Sequence, residues 1–253
     1  MSVQEQQVVE LLKAMGTGDE EPLAVIDPDK YIEHNLGTAD GLAGFRTLLA
    51  TLPQGPWRVN TVRVFEDGDL VAAHSTYNFF GPKIGFDIYR FENGKIVEHW
   101  DNLQPVEGPN LSGHTMMDGP TEPQELDKTE PNKKLVRAFV DEILLKWKME
   151  KLTGFFDGNN YIQHNPQSAD GLSGLGRSLR AMADAGMAKK YDKIHMVVGK
   201  GNFVLTASQG SLGGRPMAFY DLFRVENNKL AEHWDTVQAI PPMSEWKNQN
   251  GKF

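Results

Sequence analysis

Residues 86–104 read FDIYRFENGKIVEHWDNLQ, and residues 220–238 read YDLFRVENNKLAEHWDTVQ. Each stretch is a pair of strand-like runs about a turn, with Asn93-Gly94 a preferred hairpin dipeptide in the first. Working outward, YIEHNLGTADGL (31–42) recurs as YIQHNPQSADGL (161–172). The downstream blocks are offset slightly more than the upstream ones, so the second copy carries a short insertion between them. The chain is therefore one domain written twice. The unit is far longer than a solenoid repeat, so each copy is expected to own a core.

Before the hairpin each copy reads as helix. Val3, Val8, Val9, Leu11, Leu12 and Met15 form a helical stripe, matched by Leu135, Val136, Phe139, Val140, Ile143, Leu144 and Trp147. Gly16-Thr17-Gly18-Asp19 ends the first helix. A second short helix is expected over 19–27, with its counterpart near 149–157. Asp40-Gly41-Leu42 and Asp170-Gly171-Leu172 are turns that open a third. Strand signals then follow in VNTVRVFEDG, DLVAAHSTYNFF and the hairpin, and in KIHMVVGKGNFVLTASQGSL with its own hairpin. Three helices followed by a run of mostly antiparallel strands is an α+β layout, helices on one face of a sheet. The expected division is a first domain over 1–107, a linker or ordered strap over 108–130, and a second domain over 131–253. The connecting segment is rich in Pro, Gly, Thr, Asp and Glu, but SGHTMM (112–117) offers apolar residues and a His that can pack on a domain. Trp246 is the anchor candidate in the tail.

Composition narrows the function classes. A net charge of −8 argues against a nucleic-acid partner, which needs a basic face. No apolar run approaches the ~20 residues of a membrane span, and the N-terminus lacks the basic and apolar regions of a signal peptide. The absence of cysteine excludes disulfides and thiolate chemistry and fits a cytoplasmic location. No cofactor is expected.

Strand parity proposes a site. If the 92–95 turn is regular, Phe86 faces Asp101 and Ile88 faces His99, placing these four on one side and Asp87, Tyr89, Glu98 and Trp100 on the other. A β-bulge would reverse the assignment. A carboxylate among apolar neighbours suits acid–base work. The candidate catalytic residues are His34, His74, His99 and Asp101 in copy one, with His164, His233 and Asp235 in copy two. Asn35, Phe86, Ile88, Asn165, Tyr220 and Leu222 are the candidate substrate-binding residues. His34, His74, His99 and Asp101 also make an alternative metal set, since two or three His with a carboxylate suit zinc or iron, though the spacing matches no strong metal motif. His114 and His195 have no counterparts in the other copy and are set aside.

The order of three helices, YIxHN…ADG, a VAxHS-type strand and the EHWD hairpin resembles the SnoaL-like proteins of the nuclear transport factor two-like superfamily, over nearly the whole chain and twice. The resemblance implies two tandem cone-shaped domains, each three helices packed on a curved sheet around an apolar pocket, as in polyketide cyclases, ketosteroid isomerases and epoxide hydrolases. By position, it implies a base at His34 and His164 and an acid–base aspartate at Asp101 and Asp235. Copy one departs from the family pattern at Leu36, where proline is usual, and copy two at Ser208, where a strand His falls; copy one keeps that His as His74. Three readings follow: a cofactor-independent enzyme of lyase, isomerase or cyclase type on a small apolar carbonyl compound, with copy one the stronger cone because of His74; a non-catalytic ligand-binding or interaction module with the same pocket; or the metal-dependent site. Tandem copies are also expected to pair through their sheets as an intramolecular pseudo-dimer, with a further homodimer as its extension. Fold alone does not decide among the activities.

Overall fold

Ser2 begins the first helix with a capping box. Its side chain accepts from the Glu5 amide and Glu5 accepts from the Ser2 amide, so α1 (Val3–Thr17) starts where two orphan donors find partners. It ends at Gly18, whose φ of 72° is the left-handed cap glycine tolerates. This computed structural model describes residues 1–53 and 58–253. The expected second helix is a five-residue 3-10 turn, Glu21–Val25, with proline at its start; its counterpart is the 3-10 segment Met149–Phe155. The third is α2 (Gly41–Thr51). In the second copy the first helix differs. α3 (Thr129–Phe139) runs into a π-helical turn, Val140–Leu145, and Trp147 then takes a φ of 55°. α4 (Gly171–Asp184) is the counterpart of α2.

Each copy builds a five-stranded mixed sheet. The first contains β1 (Ile32–Glu33), β2 (Val59–Asp67), β3 (Leu70–Asn78), β4 (Pro82–Glu92) and β5 (Lys95–Pro105), in the order β1-β5-β4-β3-β2. The second contains β6 (Ile162–Gln163), β7 (Lys189–Lys200), β8 (Phe203–Leu212), β9 (Arg215–Glu226) and β10 (Lys229–Ala239), in the order β6-β10-β9-β8-β7. The short first strand of each runs parallel to the last; the other pairs are antiparallel. The repeated Ala-Asp-Gly has a local cause. Asp40 Oδ1 accepts from the Glu33 amide and Asp170 Oδ1 from the Gln163 amide, tying the helix start to the short strand. Three residues on, a Cβ at Gly44 would lie 1.9 Å from the Ala39 carbonyl oxygen, and at Gly174 2.1 Å from that of Ala169, so only glycine fits.

The hairpin is not regular. Phe91 pairs with Ile96, but Arg90 pairs with Glu98, so Val97 is an extra residue. Ala231 is the extra residue at the same place in the second copy. One inserted residue reverses the face of everything beyond it. Asp87 is therefore opposite Asp101, Tyr89 opposite His99 and Ile88 opposite Trp100. The expected pairing of Phe86 and Ile88 with His99 and Asp101 is overturned for this reason. Tyr220 and Leu222 likewise share a face with Trp234, and Asp221 shares one with His233 and Asp235.

The chain forms two compact units. One comprises Met1–Pro105 with Ile240–Phe253, the other Val106–Ala239. The expected domain 131–253 thus differs in its tail, which belongs to the first unit. There Asn248 donates to the carbonyls of Asn35 and Thr38, Asn250 donates to that of Glu33, and Lys252 donates to that of Asp101. Trp246 is half-buried and bonds only locally, to the Pro241 carbonyl; Asn248 and Lys252 are the buried anchors. The segment after β5 is an ordered strap of the second unit. Asn110 donates to the Gln163 carbonyl, Trp234 donates to that of Asp118, and Gln124 and Asn202 bond to each other. Each unit packs its helices on one sheet face: Val8, Leu11 and Leu12 with Val71, Ala73 and Tyr89 in the first, and Val136, Phe139 and Ile143 with Val204, Phe219 and Phe223 in the second. No helix among the described residues is long and apolar enough to cross a membrane.

Candidate functional site

The EHWD motif divides across the sheet. His99 and Asp101 point to the helix-packed face; Glu98 and Trp100 point to the other. β1 pairs Glu33 with His99, so Glu33 shares the inner face and the next residue, His34, turns outward. His34 stacks on Trp100 with ring centroids 4.9 Å apart, and its Nε2 lies 3.0 Å from Glu98 Oε1, while Arg90 donates to Oε2 of the same carboxylate. Its Nδ1 is 2.9 Å from the Gly251 carbonyl oxygen. His164 repeats this on Trp234 and Glu232, at 4.5 Å and 2.8 Å. Both histidines are latches for the strap and tail, not members of the inner constellation. His74 is fully buried on the outer face, stacked on Phe86 at 4.1 Å with Arg63 3.2 Å from its Nδ1. The set His34, His74, His99 and Asp101 is therefore split between two faces and cannot share one ion, which removes the alternative metal reading. The argument for copy one from His74 goes with it.

What the inner face of the first unit holds is a closed charge network. His99 Nδ1 is 3.0 Å from Glu33 Oε1, and its Nε2 is 3.1 Å from Asp87 Oδ1. Tyr77 donates to Asp87, and Tyr31 donates to Glu33 at 2.8 Å. Both partners of the imidazole are acceptors, so His99 is a doubly protonated cation between them. Burial alone lowers its pKa, but Glu33 and Asp87 outweigh burial and push it up to about 10. Asp87 is raised by burial against the opposing pull of His99. Asp101 is caged by Asn35 and by Lys252, whose Nζ is 3.1 Å away. Burial raises its pKa, but Lys252 and His99 outweigh that and hold it below the usual value.

The second unit changes two of these parts. Gln163 replaces Glu33, and its Oε1 is 3.0 Å from His233 Nδ1. Its Nε2 lies 3.1 Å from Asp221 Oδ1, so His233 has one carboxylate partner where His99 has two. The ammonium comes not from the tail but from Lys189 at the start of β7, 3.4 Å from Asp235 Oδ2 and 4.0 Å from Asp221 Oδ1. Tyr191 donates to Asp221, and Asn165 donates to both oxygens of Asp235 at 2.9 Å. Burial raises the pKa of Asp221, but Lys189, His233 and Tyr191 outweigh it, leaving a carboxylate below its ordinary range. A cavity of about 60 Å³ opens onto this group. Lys189, Tyr191, Gln163, Asp221 and His233 form its polar wall, and Phe139, Leu175 and Phe223 are among its apolar lining. Trp147, 58% exposed, also lines it. Asp235 pairs with Lys189 and is not among the residues that line the cavity.

Of the predicted residues, His99, Asp101, Asn35, His233, Asp235 and Asn165 lie on the inner faces. His34, His74, Phe86, Ile88, His164, Tyr220 and Leu222 do not. Glu33, Asp87, Gln163, Lys189, Tyr191, Asp221 and Lys252 were missed. The aspartates and Glu33 follow from the hairpin register once the bulge is placed. Lys252 has no local signal, being distant in sequence from Asp101.

Residues 8–99 match the profile of the SnoaL-like domain. No protein of curated function matches the chain. Among solved structures the chain is similar to TsrD from Streptomyces laurentii, at 20% identity and TM-score 0.36 over 41% of this chain and 91% of that one. It is similar to an LEH-like epoxide hydrolase of M. tuberculosis, at 21% identity and TM-score 0.35 over 40% and 81%. An NTF2-like protein from Cytophaga hutchinsonii is similar at 15% identity and TM-score 0.35 over 42% and 93%.

Proposed function

From the premise that residues 8–99 are a SnoaL-like domain, whose strand order the second unit repeats, we propose that the second unit is a cofactor-independent acid–base enzyme acting on a small carbonyl compound. The observation that carries this reading is the cavity: a carboxylate, an ammonium, a phenol and an imidazole meet at an otherwise apolar hollow. Such a meeting of titratable groups in a concave apolar site is the arrangement expected of proton-transfer chemistry.

Asp221 is the base. Its depressed pKa keeps it ionised at neutral pH, and His233 and Tyr191 fix its orientation. Asp221 takes a proton from the carbon beside the substrate carbonyl, and the electron pair moves onto the carbonyl oxygen. Lys189 stabilises that oxygen with its ammonium, held in place over the Phe219 and Tyr191 rings at 4.7 and 5.2 Å. Return of the proton to another atom gives isomerisation; attack of the enolate on a second carbonyl of the same molecule gives ring closure. The cavity of about 60 Å³ holds roughly two waters' share of liquid volume. Only the reacting end of a substrate enters, and the remainder rests at the mouth beside Trp147.

The first unit lacks this freedom. Its imidazole is held between two carboxylates, Glu33 and Asp87, so it serves as scaffold. The test needs no knowledge of the natural substrate. Small ketones and β-keto acids are incubated in D₂O and deuterium uptake beside the carbonyl is followed by NMR. Asp221→Asn is expected to cut the exchange rate by about 10²–10⁴-fold, and Asp101→Asn to leave it within a few-fold of the parent. A larger loss for Asp101→Asn would move the activity to the first unit. Binding of such compounds with no exchange above buffer would favour the ligand-binding reading.

A further inference from the structure

The strap of the second unit brings two histidines and an aspartate together at a place no part of the proposed catalysis uses. His114 and Asp118 come from the strap and His164 from the segment after β6. One ligand atom from each lies within 4.8 Å of the other two. His164 Nδ1 is 2.8 Å from Asp118 Oδ1 and 2.8 Å from the Thr115 carbonyl oxygen. His114 Nδ1 is 3.5 Å from Asp118 Oδ2.

The far sides of both rings are equally specific. His164 Nε2 is 2.8 Å from Glu232 Oε1, and Glu232 is itself held by Arg224 at 2.6 Å. His114 Nε2 is 3.1 Å from Asp170 Oδ2. Each imidazole thus has a carboxylate behind it and oxygen acceptors in front. A carboxylate behind each imidazole is the arrangement that orients metal-binding histidines.

We propose that His114 Nδ1, His164 Nδ1, the Asp118 carboxylate and the Thr115 carbonyl form a binding site for a divalent cation of the zinc class. Two imidazoles, a carboxylate and a carbonyl oxygen suit that borderline ion. Ligand atoms around tetrahedral zinc, with bonds of about 2.0–2.1 Å, stand roughly 3.3 Å apart; the 2.8 Å spacings at His164 Nδ1 open and the 3.5 Å spacing from His114 Nδ1 to Asp118 closes to reach that geometry. Four protein ligands close the coordination sphere, which assigns the ion a structural role: it staples the strap to the sheet beside Trp234. The first unit is an internal comparison. His34 has the same ring stack and the same rear carboxylate, but no corresponding set of ligand atoms forms around it among the described residues. The second cluster, Asp221, His233 and Asp235, already contains the Lys189 ammonium and is a poor cation site.

The experiment uses the untagged full chain, stripped with chelator and titrated with Zn(II) alone by calorimetry, with Co(II) absorption as a second readout. One equivalent is expected to bind, with a tetrahedral Co(II) spectrum and a rise in melting temperature. His114→Ala and Asp118→Asn are both partly exposed changes that spare the core, and each is expected to weaken binding at least tenfold. Glu232→Gln is expected to weaken it about 10–100-fold while keeping all four ligands. His195→Ala is the control for incidental histidine binding and should change nothing. The proposal is overturned if the parent binds no Zn(II) below about 100 μM, or if His114→Ala and Asp118→Asn bind as the parent does. It is equally overturned if binding disappears in Asp221→Asn and persists in His114→Ala.

Discussion

Glu33 and Gln163 occupy equivalent positions, and the exchange of one carboxylate oxygen for an amide nitrogen separates an imidazole held between two carboxylates from one that faces a single carboxylate and an amide. His99 sits in the native state with a pKa of about 10 against an ordinary 6.5. A pKa raised on folding contributes stability that is fully present below about 6.5 and is lost as pH rises through the folded value. The first unit is therefore expected to weaken between about pH 7 and pH 10, by on the order of a few kcal/mol. Urea unfolding followed across that range checks the slope, and His99→Gln should flatten it. Glu33→Gln should bring the His99 titration, read from its ring-proton NMR shifts, down toward neutrality; an unmoved titration would mean Asp87 alone holds the charge. Sequence reading found His99 and Asp101 because polar residues inside a repeated strand stand out. Glu33 was not legible there: in an extended segment, adjacent residues face opposite ways, and only the register with β5 tells which of Glu33 and His34 points inward.

The hairpin carries that register through a single extra residue. Val97 and Ala231 are ordinary strand residues with no glycine or proline to mark them, so the alternation on either side was legible and the break in it was not. Deleting Val97 would restore a regular ladder and turn His99 and Asp101 toward the Trp100 side. That move would bury two charges without Glu33, Asp87 or Lys252 beside them, and uncompensated buried charge is costly. The expected outcome is loss of cooperative unfolding of the first unit, seen by hydrogen exchange in β1 to β5, with β6 to β10 still protected. The elements themselves follow from local rules: the capping box at Ser2, the turn at Asn93-Gly94 with φ values of 51° and 77°, and the close approach at Gly44. The second short helix was overread in both copies, since a brief apolar segment with proline at its start satisfies a 3-10 turn as well as an α-helix.

At the scale of the chain, composition could not distinguish a loose linker from a strap, because the same Pro, Gly and Asp residues serve both. What distinguishes them is where Asn110, His114 and Trp234 find their partners. The tail is the clearer case. Lys252 and Asp101 pair with side chains only 5% exposed, and removing one member of such a pair costs about 3–5 kcal/mol. Truncation after Ala239 is expected to raise hydrogen exchange in β1 and β5 and leave the second unit's strands unchanged, with Lys252→Met giving a smaller effect of the same pattern. Unaltered exchange in β5 would mean the tail adds nothing to the first unit.

The order in which the ribosome delivers the chain therefore differs from the order in which its folded parts are complete. Val106–Ala239 is whole once it has emerged, whereas the first unit, although made first, waits for the last fourteen residues, Ile240–Phe253. Joining Phe253 to Met1 by a linker and opening the ring at Val106 would make each unit one uninterrupted stretch of polypeptide. In such a rearranged gene the lysine that neutralises Asp101 would be translated before the aspartate it serves.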